Sequence, residues 1–167
     1  MLRKFAVVTM LALSVVACDS NDDDGTGPGT QHELVGTWVS TGTNIAPGLR
    51  AAPFRTKNLT ATFNSNNTYT VVSTDSANVN TTFTGTWSAP AGTNGTVRAI
   101  TLNQSTPTQL TSTGIFQVNG SNLTYEVIQT TPAIQGFLAP TVAGGFGSTS
   151  YNGVALGALW TQRFVED

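Results

Sequence analysis

From Leu34 to Val165 the chain returns to one pattern: short runs with apolar side chains at every second position, separated by clusters of Gly, Asn, Ser and Pro. A period of two belongs to a strand with one face in a dry interior and the other in water, and a helix cannot satisfy it. The first such run is Leu34-Val35-Gly36-Thr37-Trp38-Val39-Ser40, with a glycine two residues before a tryptophan. Backbone can pass closely at Gly36 while the indole of Trp38 is buried, so this run is the expected opening strand.

The later runs repeat the argument. Lys57 to Asn64 sets Leu59, Ala61 and Phe63 against Asn58, Thr60 and Thr62, and after the turn Ser65-Asn66-Asn67 the chain returns over Thr68 to Thr74 with Tyr69 and Val71 inward. This predicts a hairpin. Val79 to Ser88 places Val79, Thr81, Phe83, Gly85 and Trp87 in one phase, and its Gly85-Thr86-Trp87 echoes Gly36-Thr37-Trp38. The echo reads as a packing device, glycine easing strand curvature beside a bulky ring, since the flanking residues do not match. After Asn94-Gly95, Thr96 to Asn103 sets Val97 and Ala99 against Arg98, Ile100 and Leu102, and its facing is ambiguous. Thr113 to Val118 and Asn122 to Gln129 form another predicted hairpin, with Leu123, Tyr125 and Val127 in phase. The last run, Ala158 to Val165, sets Ala158, Trp160, Gln162 and Phe164 against Leu159, Thr161, Arg163 and Val165.

Two connections are long and apolar. Thr43 to Phe54 contains Pro47, Gly48 and Pro53, which forbid a continuous ladder, yet carries Ile45, Leu49 and Phe54. Thr130 to Leu156 is rich in Gly, Ala and Pro but holds Ile134, Phe137, Leu138, Val142, Phe146 and Tyr151. Loops of this kind cover something greasy more naturally than they sit in water, and the second is expected to include a short helical turn near Ala133 to Leu138.

Charged residues are only 10% of the chain, and they are segregated. From Thr30 onward five basic residues (Arg50, Arg55, Lys57, Arg98, Arg163) balance five acidic ones (Glu33, Asp75, Glu126, Glu166, Asp167). A near-neutral domain offers no basic face to displace counterions, so no nucleic-acid partner is expected.

The first seventeen residues carry Arg3 and Lys4, then an apolar run from Phe5, then Ser14-Val15-Val16-Ala17 before Cys18. That order of charged, apolar and small residues is that of an export signal, with a core too short to anchor stably across a bilayer. Val15-Val16-Ala17-Cys18 resembles a bacterial lipobox, which implies cleavage before Cys18 and acylation of its sulfur and new amine by chains such as palmitate. Cys18 is the only cysteine, so no intrachain disulfide is possible. Residues 18–32 then form the lipidated cysteine and an acidic tether; the thirteen residues Asp19 to Gln31, stretched at about 3.3 Å each, reach on the order of 40 Å. The cluster Asp19, Asp22, Asp23 and Asp24 resembles the acid-rich export signals of Bacteroidota surface lipoproteins, implying a lipid-anchored protein of the outer membrane, exposed on the cell. An Asp after the cysteine also resembles the inner-membrane retention signal of enterobacteria.

Residues 33–167 thus form one domain with about eight strands joined mostly as neighbours, a Gly-x-Trp in the first and an arginine near the end of the last. The chain here resembles the lipocalin-like domains of bacterial lipoproteins and, more distantly, the lipocalins. The resemblance implies an all-β fold, an eight-stranded up-and-down antiparallel barrel holding a small apolar or amphipathic molecule in its cup. It further implies that Gly36, Trp38 and Arg163 close the barrel, with the Arg163 guanidinium on the Trp38 indole. Candidate cup or lid residues are Leu49, Phe54, Phe63, Tyr69, Phe83, Trp87, Tyr125, Phe137, Phe146 and Trp160. A Thr-Asp-Tyr-type motif between central strands, a helix after the last strand and a disulfide are all missing from the pattern. A β-sandwich shows the same alternation and stays open as the alternative. A membrane-spanning barrel does not fit, because the faces opposite the apolar ones carry Thr and Asn.

Chemistry is sparsely provided for. His32, the only histidine, falls at the end of the tether, which removes a histidine relay or histidine zinc site from the barrel. Glu126 is out of phase with Leu123, Tyr125 and Val127 and is expected in solvent. The aspartates after Cys18 lack the Gly turn and closing Glu of a calcium loop and read as a solvated run. Arg98 and Tyr125 are either polar anchors in the cup or, respectively, a water-facing and a core residue. No catalytic residue, metal or cofactor is therefore expected, and the partners expected are membrane lipid at Cys18 and a small apolar ligand, the protein being a monomer. The alternative is a structural or interaction module of the cell envelope whose barrel is filled by its own side chains.

Overall fold

The computed structural model describes residues 31–167. The expected leader, Cys18 and nearly all of the tether lie outside the described residues. Eight strands form a closed antiparallel barrel: β1 (Gly36–Thr41), β2 (Thr56–Phe63), β3 (Thr68–Asp75), β4 (Asn80–Ser88), β5 (Arg98–Thr106), β6 (Leu110–Asn119), β7 (Asn122–Thr131) and β11 (Gln162–Glu166). Each of the first six pairs with the next in the chain, and β11 joins β7 to β1, with Val39 opposite Val165 and Phe164 opposite Leu123. Closure rules out the sandwich alternative. The expected up-and-down order holds throughout.

The alternation explains the facing. In β2, Leu59, Ala61 and Phe63 are buried while Thr60 and Thr62 are half-exposed, and in β5 the choice left open by the sequence falls to Arg98, Ile100 and Leu102, with Ala99 in solvent. Trp38, Phe63, Tyr69, Trp87, Phe116, Leu123 and Phe164 belong to one buried cluster, and burying a side chain such as Phe116 contributes about 1.5–3 kcal/mol. Gly85 marks a register shift between β4 and β5, where an added Cβ would collide with the Asn103 carbonyl oxygen. Glycine permits that close approach at Gly85, whereas at Gly36 an added Cβ would meet nothing nearer than 3.8 Å and the β1–β2 register runs on unbroken, so the Gly-Thr-Trp echo is not one repeated packing device.

The two ends of the barrel differ. One receives the incoming chain and the short connections 64–67, 89–97 and 120–121, and it is plugged. Trp38 Nε1 donates to the Leu34 carbonyl (2.9 Å), the His32 ring meets Trp87 edge-on with centroids 4.9 Å apart, and the Arg98 guanidinium lies 4.7 Å from the centre of the Phe116 ring and pairs with Glu33. His32 is therefore part of the barrel rather than of a tether, because its ring is the piece that covers Trp87. The expected pairing of Trp38 with Arg163 does not form. Arg163 lies between the inward Gln162 and Phe164 and is exposed, since the strand pleat turns it outward, and the buried arginine at this end is Arg98 from β5. Arg98 likewise does not face water.

The other end carries the long connections. Between β1 and β2 the chain makes a 3-10 turn at Gly42–Asn44 and the short helix α1 (Pro47–Arg50). Between β7 and β11 it forms a small sheet from β8 (Phe137–Leu138), β9 (Ser150–Tyr151) and β10 (Val154–Ala155), then a 3-10 turn at Gly157–Trp160. The helical turn expected at Ala133 to Leu138 is a bend leading into β8, where Gly136 has a φ of +85° that breaks a helix. The last strand starts at Gln162 rather than Ala158, because Gly157 (φ +58°) opens that 3-10 turn.

Candidate functional site: the barrel cavity

Inside the barrel, towards the end with the long connections, lies a cavity of about 500 Å³. Its deeper wall is apolar: Phe63, Tyr69, Leu102, Leu123 and Phe164. Its upper wall is mixed, because Ser73, Gln104, Ser112 and Gln129 hold inward positions near the strand ends. The roof comes from both long connections, with Leu49 and Phe54 on one side and Ile134, Phe137 and Trp160 on the other. Phe54 meets Trp160 edge-on with centroids 6.4 Å apart, and α1 packs on the 3-10 turn at Gly157–Trp160 through Gly48.

Of the candidates read from the sequence, Leu49, Phe54, Phe63, Tyr69, Phe83, Tyr125, Phe137 and Trp160 line this cavity together. Two do not. Trp87 is committed to the plugged end between His32 and Phe63, and Phe146 is half-buried in the 140–149 stretch outside the lining. Both satisfy an apolar pattern, which records burial without recording what the ring is buried against. Tyr125 resolves as a cavity residue, whereas Arg98 does not.

Sequence reasoning missed the polar part of the wall. Gln104, Ser112, Gln129, Ser73 and Gln162 all occupy the inward phase of their strands, and that phase is the signal that identifies them. Gln162 has a structural task. Its Oε1 accepts from the Ala46 N–H (2.8 Å) and its Nε2 donates to Ser40 Oγ and the Asn44 carbonyl, so it fixes the roof of the β1–β2 side to β11.

Glu126 overturns the expectation of a solvated carboxylate, being fully buried on the outer side of β7. Its Oε2 accepts from the Gly147 N–H (2.6 Å) and the Thr161 hydroxyl (2.8 Å), and its Oε1 from the Thr149 N–H (3.0 Å) and hydroxyl (2.6 Å). Those donors come from the long β7–β11 connection, which folds over the outside of the barrel and covers the carboxylate. Four donors replace the water that a buried carboxylate loses.

Burial also governs the tyrosines. Desolvation pushes the Tyr69 phenol up to about 12. Tyr125 is raised further, first by burial and then by the neighbouring Tyr69. Both phenols are neutral at physiological pH, so the cavity wall carries hydroxyls but no anion there.

A second, shallower depression of about 810 Å³ runs over Thr68–Thr70, Thr84–Thr86 and Asn103–Ser105. It is open to solvent, so a molecule resting in it would keep much of its hydration. The barrel cavity, the less open of the two and the more apolar, is the better candidate because hydrophobic gain scales with the area removed from water. Among the described residues no group of three metal-ligating side chains is gathered. No protein-family model matches the chain, and no curated protein or solved structure is significantly similar to it.

Proposed function

We propose that this chain is a lipid-anchored, lipocalin-like carrier of the bacterial envelope, holding a small apolar or amphipathic molecule inside its barrel. The observation that carries the reading is the 500 Å³ cavity under a two-sided roof, with predominantly apolar walls contributed by most of the barrel strands. Eight-stranded barrels are wide enough to hold one small ligand when their inward side chains leave room. Anchoring rests on Val15-Val16-Ala17-Cys18 and the acidic run after it. Acylation at Cys18 would hold the protein on a membrane without a span, at roughly 0.8 kcal/mol per buried methylene. The reading assigns no reaction and no cofactor to the cavity.

A second reading, an envelope interaction module whose loops contact another protein, draws on Phe54, Ile134, Leu138, Tyr151, Val154 and Leu159, all exposed on the connections at the roofed end. It ranks second because a barrel of that kind needs no void.

Native mass spectrometry of the protein purified from its host membranes tests both parts. The expected result is a chain beginning at acylated Cys18 that retains a small-molecule adduct, and an adduct missing from Val71→Trp, which fills the cavity from β3. An unacylated chain removes the anchor. A wild-type barrel with no adduct, or a filled variant that keeps it, removes the carrier.

A further inference from the structure

The wall of the cavity is free of formal charge. Among the described residues no Asp, Glu, Lys, Arg or His lines it, and residues 127–162, which supply one strand face and half the roof, contain no charged residue at all. The charges nearest the roofed end are Arg50 and Arg55 on the β1–β2 side, Lys57 and Asp75 at the ends of β2 and β3, and none belongs to the lining. Lys57 is held by Asn78 Oδ1, and Asp75 Oδ1 accepts from the Ala77 and Val79 N–H groups at 2.8 Å. The titratable groups that do face the interior, Tyr69 and Tyr125, keep their protons.

Polarity is nevertheless present, and it is placed. Ser112 on β6 stands directly opposite Leu102 on one side and Gln129 on the other, and Gln104 lies two residues towards the roof from Leu102. Gln104 Nε2 donates to the Thr108 carbonyl (2.9 Å) and Gln129 Nε2 to the Pro132 carbonyl (2.8 Å). Those bonds tie the two amides to the rim connections, and with the Ser112 hydroxyl they make one side of the upper lining uncharged yet able to hydrogen-bond. Below them the wall is Leu102, Leu123, Phe63 and Phe164.

We infer that the ligand is an uncharged amphiphile, with its hydrocarbon towards the plugged end and a neutral hydroxyl, carbonyl or amide head at Gln104, Ser112 and Gln129. The inference rests on the carrier reading above. The wall offers no counter-charge to an ion taken out of water, whereas a hydroxyl head finds neutral hydrogen-bond partners. A carboxylic acid would enter as the protonated form, and would bind less well as pH rises above its own pKa.

The test uses the full chain with Cys18→Ser, so that no acyl group is added, and N-phenyl-1-naphthylamine as a neutral fluorescent probe displaced by 1-dodecanol, dodecanoate or dodecylammonium. At pH 8 the alcohol is expected to displace the probe at least about tenfold more strongly than either ion. Between pH 8 and pH 5 the acid closes on the alcohol while the alcohol stays constant. Ser112→Ala is expected to weaken the alcohol about three- to tenfold and leave the probe unchanged. Dodecanoate equal to dodecanol at pH 8 overturns the inference. Failure of the probe and of all three competitors to bind overturns the carrier reading itself, a different result from unselective binding.

Discussion

Glu126 shows how much a single side chain can decide. Its carboxylate gathers Gly147, Thr149 and Thr161 without a basic partner, so one acceptor pair ties three points of the long connection to β7. Replacing it by Gln turns one oxygen into a donor that faces donors. Glu126→Gln is expected to lower stability by about 2–4 kcal/mol in denaturant melts and to make the 140–161 stretch the first site of proteolytic cutting. Full stability with unchanged cutting would show that the four bonds do little. Arg163 teaches the converse: its position near the chain end matches a familiar pattern, but the pleat sends it into water, and Arg98 takes the buried place instead.

Among the elements, α1 and the 3-10 turn at Gly157–Trp160 form the seam of the roof. A Cβ at Gly48 would lie 2.9 Å from Trp160 Cζ3 and 3.0 Å from the Leu159 carbonyl oxygen, so backbone and indole are in contact only because that side chain is missing. Gly48→Ala is expected to part the seam, costing about 1–3 kcal/mol in thermal melts. The same variant should release N-phenyl-1-naphthylamine several-fold faster than wild type in stopped-flow dilution. A lower melting temperature with an unchanged release rate would place the exit elsewhere. The apolar content of both long connections made their covering role readable. Their detailed folds were not readable, because glycines at positive φ choose turns by conformational freedom rather than by pattern.

At the scale of the whole barrel, the plugged end ties stability to pH. Burial holds His32 below its ordinary titration range, the Pro90 and Ala89 carbonyls draw it partly back, and the Arg98 charge adds to the lowering; Glu33 is its acidic neighbour. The unfolded chain takes this proton near the usual value of about 6.5, the folded chain only at lower pH. The stability is complete above that range and falls as pH drops through it. The melting temperature is therefore expected to decline between pH 7 and pH 5, with a smaller decline in His32→Gln. Equal slopes would remove His32 as the cause.

What the sequence determined by itself was the phase of every strand but β5, the positions of most turns, an all-β fold of about eight strands with barrel and sandwich both open to it, and eight cavity-lining residues among its ten cup or lid candidates. These are legible because the pleat is a local property of the backbone, so alternation in Leu59-Thr60-Ala61-Thr62-Phe63 fixes facing without reference to any other strand. Only the tertiary structure decided that Trp87 plugs one end while Trp160 roofs the other, that Arg98 rather than Arg163 is buried, that Glu126 lies under a distant loop, and that Gln104, Ser112 and Gln129 share a wall. Each of those depends on where segments far apart in the chain come to rest against one another, and on the volume left between them. Local alternation carries no information about either.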